Sequence, residues 1–364
     1  MASSLASAVA SDPALRIALW VGASAFVLAL LLLLLLIALR QLLRWRLRER
    51  ASFISRWRPL MMDAILGEDI SVPRLAARHQ IYFLVLWNEF RESVRGAAER
   101  GLNSLACAVG ADHAARRLLA HGNGGERLLA LLTLGRLGQP VDRDRVLQVV
   151  QEDDPYVSLS AARALILIDP MQAVRDLLPL VARRSDWPSA KIVAIIGEAG
   201  ADTLSPLLAT FLRRVPETIL PRLLPLLAEA HIETAAPILD KVLTQAKQSE
   251  LIISALKLVR TPQSINVVRR LLHHEDWCVR TQAASAMGRI GASRDMDLLA
   301  PLLCDREWWV RYRAGQALVR LPGVSTGDMQ LLHNSLQDGF ARDMLIYAAG
   351  EAGVTLLASE ARQA

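Results

Sequence analysis

Cysteine, lysine and aromatic residues are all scarce in this chain of 364 residues. The three cysteines, Cys107, Cys278 and Cys304, lie in no CxxC or Cys/His spacing, so the sequence indicates neither a disulfide framework nor a zinc site. It also contains no phosphate-binding GxxxxGK(S/T) loop and no recognisable serine or cysteine nucleophile motif. We therefore expect no cofactor, no metal and no catalytic residue, and we expect that the protein is not an enzyme.

Aliphatic residues are abundant. Hydrophobic residues make up 52% of the chain while aromatic residues make up only 5%, which predicts an all-α fold with an aliphatic core. Only four of the 42 basic residues are lysines, a bias that indicates a GC-rich, bacterial genome.

A long apolar run lies near the beginning of the sequence. Residues 17–39 contain no charged side chain, and these 23 residues would form a helix of about 35 Å, enough to cross a hydrocarbon core of roughly 30 Å. A cleaved signal peptide would need a shorter apolar run and a small-residue cleavage site, whereas arginines follow this one. We predict a single transmembrane helix over residues 15–39, preceded by a short extracytoplasmic tail at residues 1–14.

The positive charge of the chain is concentrated directly after this run. Residues 40–58 contain seven arginines and one glutamate, a balance of +6 that equals the net charge of the whole chain. The rest is neutral, so we expect no nucleic acid as a partner. Because the arginine-rich flank of a span stays in the cytoplasm, we predict a single-pass protein of the bacterial inner membrane with a cytoplasmic C-terminal domain.

The same segment contains aromatic residues, and such a mixture is typical of the membrane interface. We predict that Arg40, Arg44, Trp45, Arg46, Arg48, Arg50, Arg56, Trp57 and Arg58, with Phe53 among them, lie at the headgroup level and contact anionic lipid. A solvated helix whose charge only sets the orientation would use the same residues.

A Gly-x-x-Gly pair recurs after this segment. Its first glycine is Gly135, Gly197, Gly288 or Gly350, and the separations of 62, 91 and 62 residues equal two, three and two units of about 30 to 31. Each unit is predicted to form two helices, of which the first ends near the glycines and the second carries a leucine stripe. Stacked units bury the apolar faces that one helical pair cannot bury alone.

Two units follow a common pattern. Asp276–Arg280 reads DWCVR and Glu307–Arg311 reads EWWVR, and each is followed by an alanine pair. The pattern resembles HEAT-like repeats of the type found in phycobilisome lyases. The whole layout is also similar to bacterial membrane-anchored HEAT-repeat proteins of unknown function. The resemblance implies an α-solenoid of about seven units over residues 126–364, with a helical N-terminal cap at residues 59–125 and a basic juxtamembrane segment at residues 40–58.

The repeat also predicts where the chain begins its helices and where a partner could bind. Acidic residues at Asp154, Asp186 and Asp276 are expected to cap first helices. The candidate partner contacts are Trp187, Trp277, Trp308, Trp309, Arg280 and Arg311. Each tryptophan could instead fill the gap to a neighbouring unit, and each arginine could instead join a ladder between units.

These observations favour a membrane-anchored scaffold that presents a cytoplasmic protein-binding surface. An enzyme or enzyme subunit, by analogy with phycobilisome lyases, is the alternative, and a DNA-binding HEAT-like protein is a third hypothesis that the neutral charge of the repeats disfavours.

The topology gives the first testable prediction. A reporter that is active only in the cytoplasm should be active when fused after Ala364, because the arginines follow the span. Activity of a periplasmic phosphatase at the same fusion point would contradict this orientation.

Overall fold

The computed structural model describes residues 13–68 and 71–356, and these residues form helices and loops without a β-strand. The α-helices are α1 (Pro13–Leu66), α2 (Gln80–Ser93), α3 (Ala97–Ala108), α4 (Ala111–His121), α5 (Gly124–Leu137), α6 (Arg143–Val150), α7 (Pro155–Ile168), α8 (Pro170–Arg183), α9 (Ser189–Gly197), α10 (Ala201–Leu212), α11 (Leu220–Leu223), α12 (Ile232–Gln245), α13 (Ser249–Leu258), α14 (Ile265–Leu271), α15 (Trp277–Ile290), α16 (Met296–Leu299), α17 (Trp308–Arg320), α18 (Thr326–Ser335) and α19 (Gly339–Glu351). The chain divides into two compact units, of which the first ends at Thr133 and the second begins at Leu134. The predicted all-α class is confirmed.

Helix α1 is much longer than the predicted span. It runs without a break through the apolar residues, the basic segment and Pro59 to Leu66, so the predicted start of the cap at residue 59 lies inside a helix. By length and composition, α1 is the one helix of the described chain that could cross a membrane, with a mean hydropathy of 2.9 in its most apolar window and none of that window buried.

The C-terminal part of α1 belongs to the core of the first unit. Phe53, Trp57 and Met61 are buried, and the Trp57 ring meets the edge of Phe83 on α2 at a centroid distance of 5.0 Å. Because these three residues are four positions apart, they share one face of the helix. The prediction that Phe53 and Trp57 lie at the membrane interface is therefore wrong: nearness to arginines in sequence does not mean that the side chains point the same way.

The second compact unit, which begins at Leu134, is a stack of repeat units. Each repeat unit is a pair of helices, and the stacked pairs form two layers. First helices pack on first helices, as α13 on α15, α15 on α17 and α17 on α19, and second helices pack on second helices, as α8 on α10 and α10 on α12. The poorly matching unit near residue 220 has a first helix of only four residues, followed by a 3₁₀ segment at Leu224–Ala228. This arrangement supports the predicted solenoid.

Acidic capping residues begin several of the first helices. Asp154 Oδ1 accepts a hydrogen bond from the backbone N–H of Tyr156 at 2.8 Å, and Asp276 Oδ1 accepts one from Cys278 at 2.8 Å. Asp186 does not cap, because α9 begins later, at Ser189, after Pro188. Its carboxylate instead pairs with Arg184 at 2.6 Å.

The first glycine of the repeated pair permits close helix packing. A Cβ atom at Gly288 would lie 2.8 Å from the Cα of Ala317 on α17, and one at Gly135 would lie 2.8 Å from the Cα of Ala164 on α7. Both distances are shorter than carbon atoms can approach. Gly350, at the same repeat position in α19, has open space around it.

This difference gives a matched pair of variants. Gly288→Ala should destabilise the protein by about 1 to 3 kcal/mol, because the added methyl group forces α15 away from α17. Gly350→Ala should leave the stability unchanged or raise it by up to about 1 kcal/mol, because alanine favours the helix and meets no neighbour. Urea unfolding of the full chain in detergent, followed by circular dichroism, measures both. Equal effects of the two substitutions would contradict the close packing described here.

Candidate partner-binding surface

Four aromatic side chains form a cluster on the surface of α17 and α19. The Trp308 and Trp309 rings meet edge to face with centroids 4.8 Å apart, and Trp308 stacks on Tyr312 at 5.1 Å with an angle of 14° between the planes. Tyr347 on α19 lies 6.1 Å from Tyr312. We call Trp308, Trp309, Tyr312 and Tyr347 the aromatic cluster.

Three of the four side chains of the aromatic cluster are about half exposed although they are largely apolar. Trp308 is 45% exposed, Trp309 is 52% exposed and Tyr347 is 56% exposed. Adjacent residues of a helix point about 100° apart, so two neighbouring tryptophans cannot both enter the core, and here both remain on the outside. Clustered, half-exposed tryptophan and tyrosine are the residues most enriched at binding hot spots.

A carboxylate lies beside the cluster. Glu351 accepts hydrogen bonds from the Tyr312 hydroxyl at 3.0 Å and from the Gln316 amide at 3.0 Å. The Gln316 bond, then the Tyr312 bond and a smaller contribution from Tyr347, hold the pKa of Glu351 below its ordinary value. Loss of hydration and the bond to Glu351 raise the pKa of Tyr312, so its hydroxyl remains a donor at neutral pH.

Arg313 holds this network in place from the other side. Its Nη1 donates to the Gln316 Oε1 at 2.7 Å, and its guanidinium lies 5.7 Å from the Tyr312 ring centroid. Gln316 is thereby oriented with its amide N–H groups toward Tyr312 and Glu351. Within the described residues, Glu351 has no ion pair with a basic side chain.

The first turns of other first helices also carry exposed aromatic residues. Trp277 is the first residue of α15 and is partly exposed, and Phe340 is the second residue of α19 and is largely exposed. Phe340 follows Trp309 by 31 residues, one unit of the repeat. Sequence reasoning missed Phe340 although this interval identifies it. It also missed Tyr347 and Glu351, which only the packing of α19 on α17 brings to the cluster.

Trp187 differs from the other three predicted tryptophans. It is 1% exposed, and its Nε1 donates to the Ser158 hydroxyl at 2.9 Å. It lies before α9 rather than within its first turn, and the Arg184 guanidinium covers its ring at 5.0 Å. The structure therefore corrects the hypothesis of a partner contact at Trp187. The buried ring packs between two neighbouring repeat units and is not accessible to a partner.

Arg280 joins neighbouring units. Its guanidinium forms a double hydrogen bond with the Asp305 carboxylate at 2.8 and 3.0 Å and donates to the carbonyl groups of His274 and Glu275. Burial alone would raise the pKa of Asp305, but the bonds from Arg280 and from the Glu307 backbone N–H outweigh it, and the pKa lies below its ordinary value. Arg280 is buried, and its guanidinium is already hydrogen-bonded within the protein. This supports a ladder of bonds between repeat units rather than a contact with a partner.

Arg311 occupies the same repeat position without the same partner. Leu336 stands where the spacing from Arg280 to Asp305 would place a carboxylate. The Nε of Arg311 is buried and has no hydrogen-bond partner in the described part of the chain. The ladder is therefore interrupted at the unit that carries the aromatic cluster.

The basic segment exposes its arginines along α1. Six of the predicted interface arginines and Trp45 are exposed: Arg40, Arg44, Arg48, Arg50, Arg56 and Arg58. The side chain of Arg46 lies outside the described residues. Glu49, the one acid of the segment, is bound to His79 at 2.9 Å and to Arg78 at 3.6 Å. It therefore leaves the positive charge of the segment uncompensated.

Comparison with known proteins identifies the repeat. The family described as HEAT repeats matches residues 236–319, from α12 to α17. No curated protein matches the chain. Two solved structures described as engineered proteins are similar: one has 16% identity and a TM-score of 0.35 and covers 78% of this chain and 87% of its own, and the other has 17% identity and a TM-score of 0.33 and covers 60% of this chain and 99% of its own. The match to HEAT repeats thus covers the part of the chain that carries Trp277, Trp308 and Trp309.

The contrast between buried and exposed tryptophans is testable. Trp187→Ala should lower the free energy of unfolding by about 3 to 5 kcal/mol, because it leaves a cavity between two repeat units and removes the hydrogen-bond partner of the Ser158 hydroxyl. Trp309→Ala should change it by no more than about 0.5 kcal/mol, since few interior contacts are lost. The measurement is urea unfolding of the full chain in detergent. A large loss of stability in Trp309→Ala would assign that ring to packing.

Proposed function

We propose that this protein is a membrane-anchored HEAT-repeat scaffold whose aromatic cluster binds a protein partner in the cytoplasm, next to the inner membrane. HEAT repeats generally mediate protein–protein interaction. The observation that carries the proposal is the half-exposed pair Trp308 and Trp309, which packs against Tyr312 on the surface instead of entering the core.

The anchor follows from α1. Its apolar part has the length and hydropathy of a span, and exposed arginines continue on the same helix. An arginine-rich flank keeps this end in the cytoplasm and attracts anionic lipid, at roughly 1 kcal/mol for each residue near the surface. Because the helix continues to Leu66 and packs into the first unit through Phe53 and Trp57, the anchor and that unit share one rigid element.

The other two functions lack a comparable observation. For a lyase-like enzyme the support is the resemblance of the repeats alone, and such repeats occur in proteins of many functions. Binding of DNA would need a basic face with interleaved aromatic residues, whereas Arg280 and Arg184 are committed to carboxylates and backbone carbonyl groups.

Site-specific photocrosslinking in living cells tests the scaffold. A photoreactive amino acid at position 309 should yield a discrete crosslinked protein, and the yield should fall about tenfold or more when Trp308→Ala is added, because a hot spot is removed. The control is the same probe at Tyr156, an exposed residue in the first turn of α7.

The comparison between the two positions decides the outcome. Equal crosslinking at positions 309 and 156, or a yield at position 309 that is insensitive to Trp308→Ala, would contradict the assignment of the aromatic cluster as the docking surface. Loss of the crosslink after deletion of residues 15–39 would add that the membrane anchor brings the partner within reach.

A further inference from the structure

The aromatic cluster and its neighbouring carboxylate together have a chemistry that neither has alone. The π faces of tryptophan and tyrosine attract cations, most strongly where water is excluded. A carboxylate attracts the same cations and accepts their N–H groups. Here two neutral donors, Tyr312 and Gln316, orient Glu351, and no basic side chain of the described residues forms an ion pair with it, although Arg313 lies near enough to attract its charge.

Arg313 already lies over the Tyr312 ring, at 5.7 Å from its centroid, so the rings open to a further cation are those of Trp309 and Tyr347. Trp308 and Tyr312 are stacked on each other, which occupies the faces between them, but Trp309 is perpendicular to Trp308 and Tyr347 is tilted by 51° from Tyr312. Both Trp309 and Tyr347 are more than half exposed. Glu351 Oε2 accepts from both Tyr312 and Gln316, whereas Oε1 accepts only from Tyr312 and keeps a lone pair for a donor from outside.

Arginine fits this combination better than lysine. Its guanidinium is planar and stacks on an aromatic face, while its several N–H groups can at the same time reach a carboxylate. The same combination occurs inside this chain, where the Arg184 guanidinium lies over the Trp187 ring and pairs with Asp186. An anionic ligand is disfavoured beside Glu351, because the carboxylate would repel it.

We propose that the aromatic cluster and Glu351 bind an arginine side chain of the protein partner, an inference that rests on the scaffold function proposed above. The guanidinium stacks on the exposed ring of Trp309 or Tyr347 and donates to Glu351. The partner is thus a protein with an accessible arginine on its docking segment, and neither a nucleic acid nor a second membrane surface satisfies this site.

A defined peptide tests the proposal without knowledge of the partner. The full chain is placed in nanodiscs of neutral phosphatidylcholine, so that the lipid does not attract the probe. A short fluorescent peptide with arginines spaced by glycine is compared with two matched peptides, in which lysine or the uncharged analogue citrulline replaces arginine. Fluorescence anisotropy should show the arginine peptide binding about tenfold more tightly than the citrulline peptide, with lysine between them.

Two substitutions locate the binding. Glu351→Gln keeps the size of the side chain and one accepting oxygen but removes its charge, and Trp309→Ala removes one exposed ring. Each should weaken binding of the arginine peptide about tenfold. Glu250→Gln removes a charge from the exposed first turn of α13 and should leave the binding unchanged, which controls for net charge. The thermal midpoints of all variants are measured to verify that the fold is retained.

The outcomes separate the two proposals. Equal binding of the arginine and citrulline peptides, or binding that is unaffected by Glu351→Gln, would overturn the arginine site while a crosslink at position 309 leaves the scaffold in place. Absence of that crosslink overturns the scaffold itself. Self-association of the full chain that Glu351→Gln abolishes would identify a second copy as the occupant and would overturn the assignment to a separate partner.

Discussion

The close approach of successive first helices is the constraint on which the second unit depends. At Gly288 and Gly135 the neighbouring helix comes so near that a single methyl group would collide with backbone carbon. Helices this close pack over their whole length, which places alanines such as Ala283, Ala314 and Ala317 in full burial. The array is stable only if each repeat unit covers the apolar face of the next.

The same constraint explains which parts of the fold could be predicted. A repeat has a fixed spacing that is visible in the sequence, so the glycine intervals and the alanine pairs predicted the stack of helical pairs. Asp154 and Asp276 predicted the starts of two helices. Asp186 was misjudged because Pro188 shifts the start of α9 by a few residues, and this shift also moves Trp187 from the expected surface position into the core. A residue aligned by spacing is therefore not aligned in space when the local turn differs.

The surface could be predicted only in part, for a related reason. Trp308 and Trp309 attract attention in the sequence because adjacent tryptophans cannot both be buried. Tyr347 and Glu351 could not be predicted in this way, because their contact with Tyr312 is made between two helices and the sequence of neither helix indicates it. In the first unit the converse happened: arginines beside Phe53 and Trp57 suggested a membrane interface, but a period of 3.6 residues separates the apolar face of α1 from its charged faces.

The aromatic cluster lies where the ladder of arginine–carboxylate bonds between repeat units is interrupted, and this coincidence has a physical explanation. Arg280 bonds to Asp305, whereas for Arg311, one repeat later, Leu336 stands at the corresponding position of the sequence, and the buried Nε of Arg311 has no hydrogen-bond partner in the described residues. A local violation of the repeat rule costs stability, and proteins retain such violations mainly at functional sites. Loss of the ladder carboxylate coincides with the gain of four clustered rings and of a glutamate that forms no ion pair among the described residues. The segment from Glu307 to Glu351 therefore differs from the preceding repeat units in two ways: its interior has fewer hydrogen bonds at the ladder position, and its surface presents more aromatic rings to a partner.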